Sequence, residues 1–198
     1  MSGLDVAPRT AFGPAGLTGL MGLQAWVWTS SVLPKITSST FVSGFVRFVG
    51  TAPPMRPALY GHLVTPVILA APALFAVGAL VTELALALTF VVTMVALLRY
   101  RGSTPRGILL AGGVASLVAA GFALNLALLV GDAAPWRLGD PFDSGVALEY
   151  LLVGLSLVTA WSAITTIRAS VRRHAPAVAG GERHTPHGRR AGQAGSNA

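Results

Sequence analysis

The 198-residue chain is 53% hydrophobic and only 11% charged, whereas a soluble domain carries about 25% charged residues. Too little polar surface remains to wrap a water-soluble core, so a bilayer is the expected solvent. The formal net charge of +7 comes largely from arginines in or beside the C-terminal segment: Arg168, Arg172, Arg173, Arg183, Arg189 and Arg190. That distribution fits the cytoplasmic end of a membrane protein and excludes a nucleic-acid partner.

Cysteine is absent, which excludes disulfide exchange, thiolate metal sites and cysteine-ligated iron–sulfur clusters. Of the four histidines, only His62 adjoins the apolar part, so neither a metal nor a bis-histidine haem is expected. Residues 1–15 have no basic region ahead of the first apolar run and no A-x-A cleavage site. They are read as a cytoplasmic segment and not as a cleaved signal peptide.

The first candidate span, about 16–36, is the least apolar. Gln24, Trp28, Ser31 and Lys35 recur in it at i, i+4, i+7 and i+11, which puts them on one helical face. A polar stripe on a membrane helix turns toward protein or water. Trp28 and Lys35 can be outer-interface anchors, or Lys35 can stand at the mouth of a cavity. Beyond it, "STFVSGFVRFVG" spaces Phe41, Phe45 and Phe48 at i, i+4 and i+7 beside Val42, Val46 and Val49. This spacing predicts an amphipathic helix that ends at Gly50 and lies in the outer interface or dips back into the bundle. "TAPPMRP" then breaks the chain, and a second apolar approach, 62–71, is interrupted by Pro66. Pro72 can open the next helix, since a first-turn proline gives up no helical hydrogen bond.

The second span, about 73–98, holds a single ionisable group, Glu83. It lies about 15 Å into the helix, where a carboxylate costs about 2.5–3.5 kcal/mol on insertion scales. Ala79, Ala87, Phe90 and Met94 share its face. Glu83 is read either as a proton relay or ligand contact, or as a group that bonds a neighbouring helix. The turn 99–106 carries Arg99, Arg101 and Arg106, a cytoplasmic signature. The third span, about 107–130, has two small-residue ridges: Gly112, Ser116 and Ala120, and Ala115, Ala119, Ala123 and Ala127. These predict a tight bundle or a contact between two copies. Asn125 near its outer end is read as helix glue or as part of a site. Asp132, Trp136, Arg137, Asp140 and Asp143 follow in an outward loop, where the aspartates suit caps and turns. The fourth span, about 146–167, puts Glu149, Ser156, Thr159 and Thr166 on one face.

The expected fold is an all-α polytopic membrane protein. A four-helix transmembrane bundle occupies 16–167, with an amphipathic or re-entrant segment between its first two helices. A basic disordered tail, 168–198, lies against anionic lipid headgroups. Both termini are placed in the cytoplasm, across a bacterial plasma membrane. Lys35, Arg47 and Arg56 then cluster on the outer side with no acid between Asp5 and Glu83. They form a candidate anion-binding group, unless they contact headgroups.

The order of these pieces resembles the DoxX family and, within it, the DoxD-like proteins. The residues that carry the resemblance are "WVWTSSVLPKI", "FVSGFVRFVGTAPPMRPALYGHLVTP", "ALFAVGALVTELALALT" and "FALNLALLVGDAAPW", together covering about 16–167. By position, Lys35, Glu83, Asn125 and Trp136 match the family's polar residues. There are two departures: Arg9 lies farther upstream than the arginine expected at the head of the first helix, and no DoxA-like soluble segment follows. The resemblance implies a membrane subunit that passes electrons from thiosulfate or a related sulfur compound to quinone, with a separate redox subunit as partner. Glu83 and Asn125 would then serve the chemistry, Lys35, Arg47 and Arg56 would gather the anionic reductant, and Trp28, Phe90 and Trp136 would contact quinone as co-substrate. Two other readings stand beside it: a non-catalytic scaffold that docks redox or stress-defence enzymes, and a small-solute or proton-coupled carrier.

Overall fold

The computed structural model describes residues 13–51, 57–100, 103–130 and 148–174. Helices form where the apolar runs are long. The chain-order elements are α1 (Pro14–Thr37), α2 (Phe41–Gly50), a π-helical turn (Tyr60–Val64), α3 (Thr65–Ala70), α4 (Pro72–Tyr100), α5 (Arg106–Val130) and α6 (Leu148–His174). Among the described residues there is no strand. Prolines stand at the starts of α1 and α4, as the first-turn preference expects. The expected amphipathic helix forms as α2 and ends on Gly50. Beyond Ile167, α6 continues to His174, because Arg168, Arg172 and Arg173 end the apolar run without ending helix propensity.

Three helices, within Pro72–Tyr100, Arg106–Leu129 and Leu148–Val171, are long and apolar enough to cross a membrane, the mark of a multi-pass membrane protein. Their outward faces carry Leu74, Val81, Leu88, Val92, Leu110 and Leu157, all exposed, a surface suited to hydrocarbon and unsuited to water. At 24 residues α1 is as long as two of these segments. Gln24, the Thr29–Ser31 hydroxyls and Lys35 keep its hydropathy below theirs.

The closest packing is of α1 along α4 and of α5 along α6. Gly22 of α1 faces Met94 while Lys35 meets Glu83, so α1 and α4 run antiparallel. The main core is Leu17, Met21, Ala25 and Trp28 of α1, Leu86, Ala87, Phe90 and Leu97 of α4, Leu109, Ala115 and Ala119 of α5, and Ala163 of α6. Both small-residue ridges of α5 are buried within the chain. At Gly112 the approach is tightest: an added Cβ would lie 2.8 Å from Thr93 Cγ2 and 2.9 Å from Met21 Cε.

Lys35 stands near the end of α1, whereas Glu83 lies eleven residues after Pro72. About 16 Å of α4 therefore extends past the level at which α1 meets Glu83. The segment that follows α1 covers that length. There α2 packs on α4 and α3, and a second core joins Val49, Ile68 and Leu129 with Phe45, Tyr60 and Val64 around them. The π turn has a local cause. Pro66 has no N–H to give, and the Thr65 N–H reaches back to the Tyr60 carbonyl, widening the turn.

Candidate functional site

The polar stripe on α1 faces inward and is partnered along its whole length. At its lower end Gln24 is fully buried. Its amide nitrogen donates to Ser156 Oγ on α6 at 2.7 Å, and its carbonyl accepts the Trp28 indole N–H at 3.0 Å. The Trp28 ring meets Phe122 of α5 edge-on, with centroids 5.9 Å apart. A buried indole keeps its apolar body and still places its one donor in this way.

One turn further along, Lys35, Ser31 and Glu83 form a closed group. The Lys35 ammonium donates to both Glu83 oxygens at 2.5 Å and to Ser31 Oγ at 3.0 Å. Ser31 in turn donates to Glu83 Oε2 at 3.1 Å. The Glu83 side chain is 2% exposed and that of Lys35 30%. A charge is tolerated at such a position when an opposite charge and further hydrogen bonds replace water, and here both are present. One face of α1 thus reaches three helices: α4 through Glu83, α5 through Phe122 and α6 through Ser156.

The remaining candidates lie elsewhere. Phe90 is fully buried in the main core, which also holds Trp28. Arg47 is exposed on α2 and does not join Lys35. Asn125 accepts a hydrogen bond from the Tyr60 phenol at 2.8 Å, which ties the π turn to the end of α5. Glu149 is half-buried at the start of α6. Arg56 and Trp136 lie outside the described residues, as do Asp132, Arg137, Asp140, Asp143 and most of the 168–198 tail.

Sequence reasoning placed Lys35 and Glu83 in separate roles. Their union carried a signal, because the chain's one lysine and the one acid of its second apolar run both need compensation in apolar surroundings. Ser31, Gln24 and Ser156 were visible as faces without partners. Tyr60 was missed, although a tyrosine in an apolar stretch usually needs an acceptor for its hydroxyl.

Among the described residues no group of three or more acidic or histidine side chains could hold a metal ion. An open groove of ≈ 630 Å³ runs between α4 and α5, with Thr82, Leu86 and Thr89 on one wall and Gly107, Ala111 and Val114 on the other. Thr82 and Thr89 give their hydroxyls to the backbone of their own helix, so the lining is effectively apolar. Thr82 adjoins Glu83 in sequence, but Glu83 turns to α1. A comparison with known protein families, with curated proteins and with solved structures finds no match.

Proposed function

We propose that this chain is the membrane subunit of a quinone-linked oxidoreductase of the DoxX type, passing electrons from thiosulfate or a related sulfur anion to quinone. In this reading α1 crosses the bacterial plasma membrane beside α4, α5 and α6 as a fourth span, and both termini are cytoplasmic. One observation carries the reading: Glu83, 2% exposed in an apolar helix, is kept there with Lys35 and Ser31 dedicated to it. Intramembrane acids retained at such cost are commonly proton-handling or ligand-handling groups. Quinone reduction consumes protons together with electrons, which gives a sequestered carboxyl group a task. The groove between α4 and α5 offers an apolar approach from the bilayer side, and a partner redox subunit supplies electron entry where the chain has no thiol or haem-ligand pair.

The test is thiosulfate-dependent quinone reduction by the full chain in lipid nanodiscs, alone and with membrane extract as a source of partner. Wild-type activity that falls at least tenfold in folded Glu83→Gln supports the reading. Activity equal in the two forms removes Glu83 from the chemistry.

A second reading, a non-catalytic scaffold for redox or stress-defence enzymes, is favoured by one feature. All three Lys35 donors and both Glu83 oxygens are already engaged inside the bundle, as a purely structural clamp requires. Under it, Glu83→Gln lowers thermal stability and partner capture together, and no catalytic defect accompanies them.

A further inference from the structure

Lys35 and Glu83 differ in how they meet the surroundings. The carboxylate is sealed, whereas 30% of the lysine side chain is exposed. An ammonium has three N–H donors, and Glu83 Oε1, Glu83 Oε2 and Ser31 Oγ take them. While the pair is intact, nothing further can bind. A proton added to Glu83 changes the balance: the carboxyl group becomes neutral, and the ammonium is left without its counter-charge where an uncompensated charge is costly.

We propose that protonation of Glu83 converts Lys35 and Ser31 into a binding site for one small inorganic anion, so that proton and anion are taken up together. The proton bonds to a Glu83 oxygen, the carboxylate leaves the ammonium, and a monovalent anion takes its place. The net charge of the group is the same before and after. The other charged or titratable side chains on the packed elements do not provide the counter-charge. Arg47 on α2 and His62 in the π turn are exposed, Glu149 and Tyr150 are half-buried at the start of α6, and Tyr60 serves Asn125. Arg99, Tyr100, Arg106 and Arg168 are exposed toward the far ends of α4, α5 and α6. Among the described residues the one ion pair is Lys35–Glu83.

The inference shares with the oxidoreductase reading the premise that Glu83 accepts a proton, and it needs neither quinone nor reductant. It is tested with nitrate, a non-reducing probe, by calorimetric titration of the full chain in nanodiscs at pH 5 and pH 8. Two buffers of different protonation enthalpy count the protons. Binding should be tighter at pH 5 than at pH 8, by up to about tenfold per pH unit, with about one proton taken up per nitrate. Glu83→Gln should bind nitrate equally at both pH values without proton uptake, and Lys35→Met should not bind it. Nitrate binding by wild type that is absent at both pH values, independent of pH, or accompanied by no proton overturns the proposal. So does binding that survives in Lys35→Met. The wild-type proton count stands even if a variant fails to fold. Coupled binding without quinone reduction overturns only the oxidoreductase reading, and the reverse result overturns only this one.

Discussion

The two ends of the bundle are held by different means. In the main core, apolar contacts among α1, α4, α5 and α6 are pinned by two buried polar groups, Gln24–Trp28–Ser156 and Ser31–Lys35–Glu83. In the cap made by α2, the π turn and α3, a smaller apolar cluster carries the tie of Tyr60 to Asn125, and that tie is exposed. The main core therefore selects a single register of four helices. The cap gains less from this bond, because exposed partners can exchange it for one to the surroundings.

Removing one half of the charge pair is the strongest way to break this contrast. Glu83→Ala leaves the Lys35 ammonium unpaired and should cost about 3–5 kcal/mol, read as a lower thermal midpoint in detergent with loss of α1–α4 packing. The double variant Lys35→Met/Glu83→Met should recover much of that loss, since apolar replacement of a buried pair is often neutral or better. A double variant no more stable than Glu83→Ala would show that the pair adds stability beyond mutual compensation.

Gly112→Val drives a branched side chain against Thr93 and Met21 and should cost about 1–3 kcal/mol. Gly121→Val, on an exposed position of the same helix with open space around it, provides the control and should cost far less. Gln24→Leu removes the acceptor of the Trp28 indole and the donor to Ser156, at about 1–2 kcal/mol. Its effect should appear as faster hydrogen exchange in α1 and α6. Tyr60→Phe comes last, at about 0.5 kcal/mol. It should raise protease cleavage in the segment joining α2 to α4 and leave the thermal midpoint of the bundle unchanged. A global shift from Tyr60→Phe as large as that from Gln24→Leu would erase the distinction between core and cap.

The sequence made some of this legible because the signals are local. Pro72 opens α4, Gly50 closes α2, and the stripe from Gln24 to Lys35 is a matter of helical spacing alone. Partners were less accessible. Lys35 and Glu83 are 48 residues apart, and a face tells which way a group points without saying what waits there. Likewise, the α5 ridges were equally compatible with a second copy of the chain, and the fold uses them internally. The π turn depends on how the Thr65 amide settles beside Pro66, a choice that hydropathy does not record. For Asn125 the sequence left glue and site open, and its bond to Tyr60 shows the glue without testing the chemistry.

The reach of the α1 stripe along the chain also bears on how the protein is made. Gln24 finds its acceptor 132 residues later and Lys35 its carboxylate 48 residues later. During synthesis the ribosome therefore delivers α1 before either partner exists. Of the described helices, α1 is made first and its polar side chains are completed late, so a chain arrested before Ser156 emerges would carry an unfinished α1 for cellular quality control to recognise.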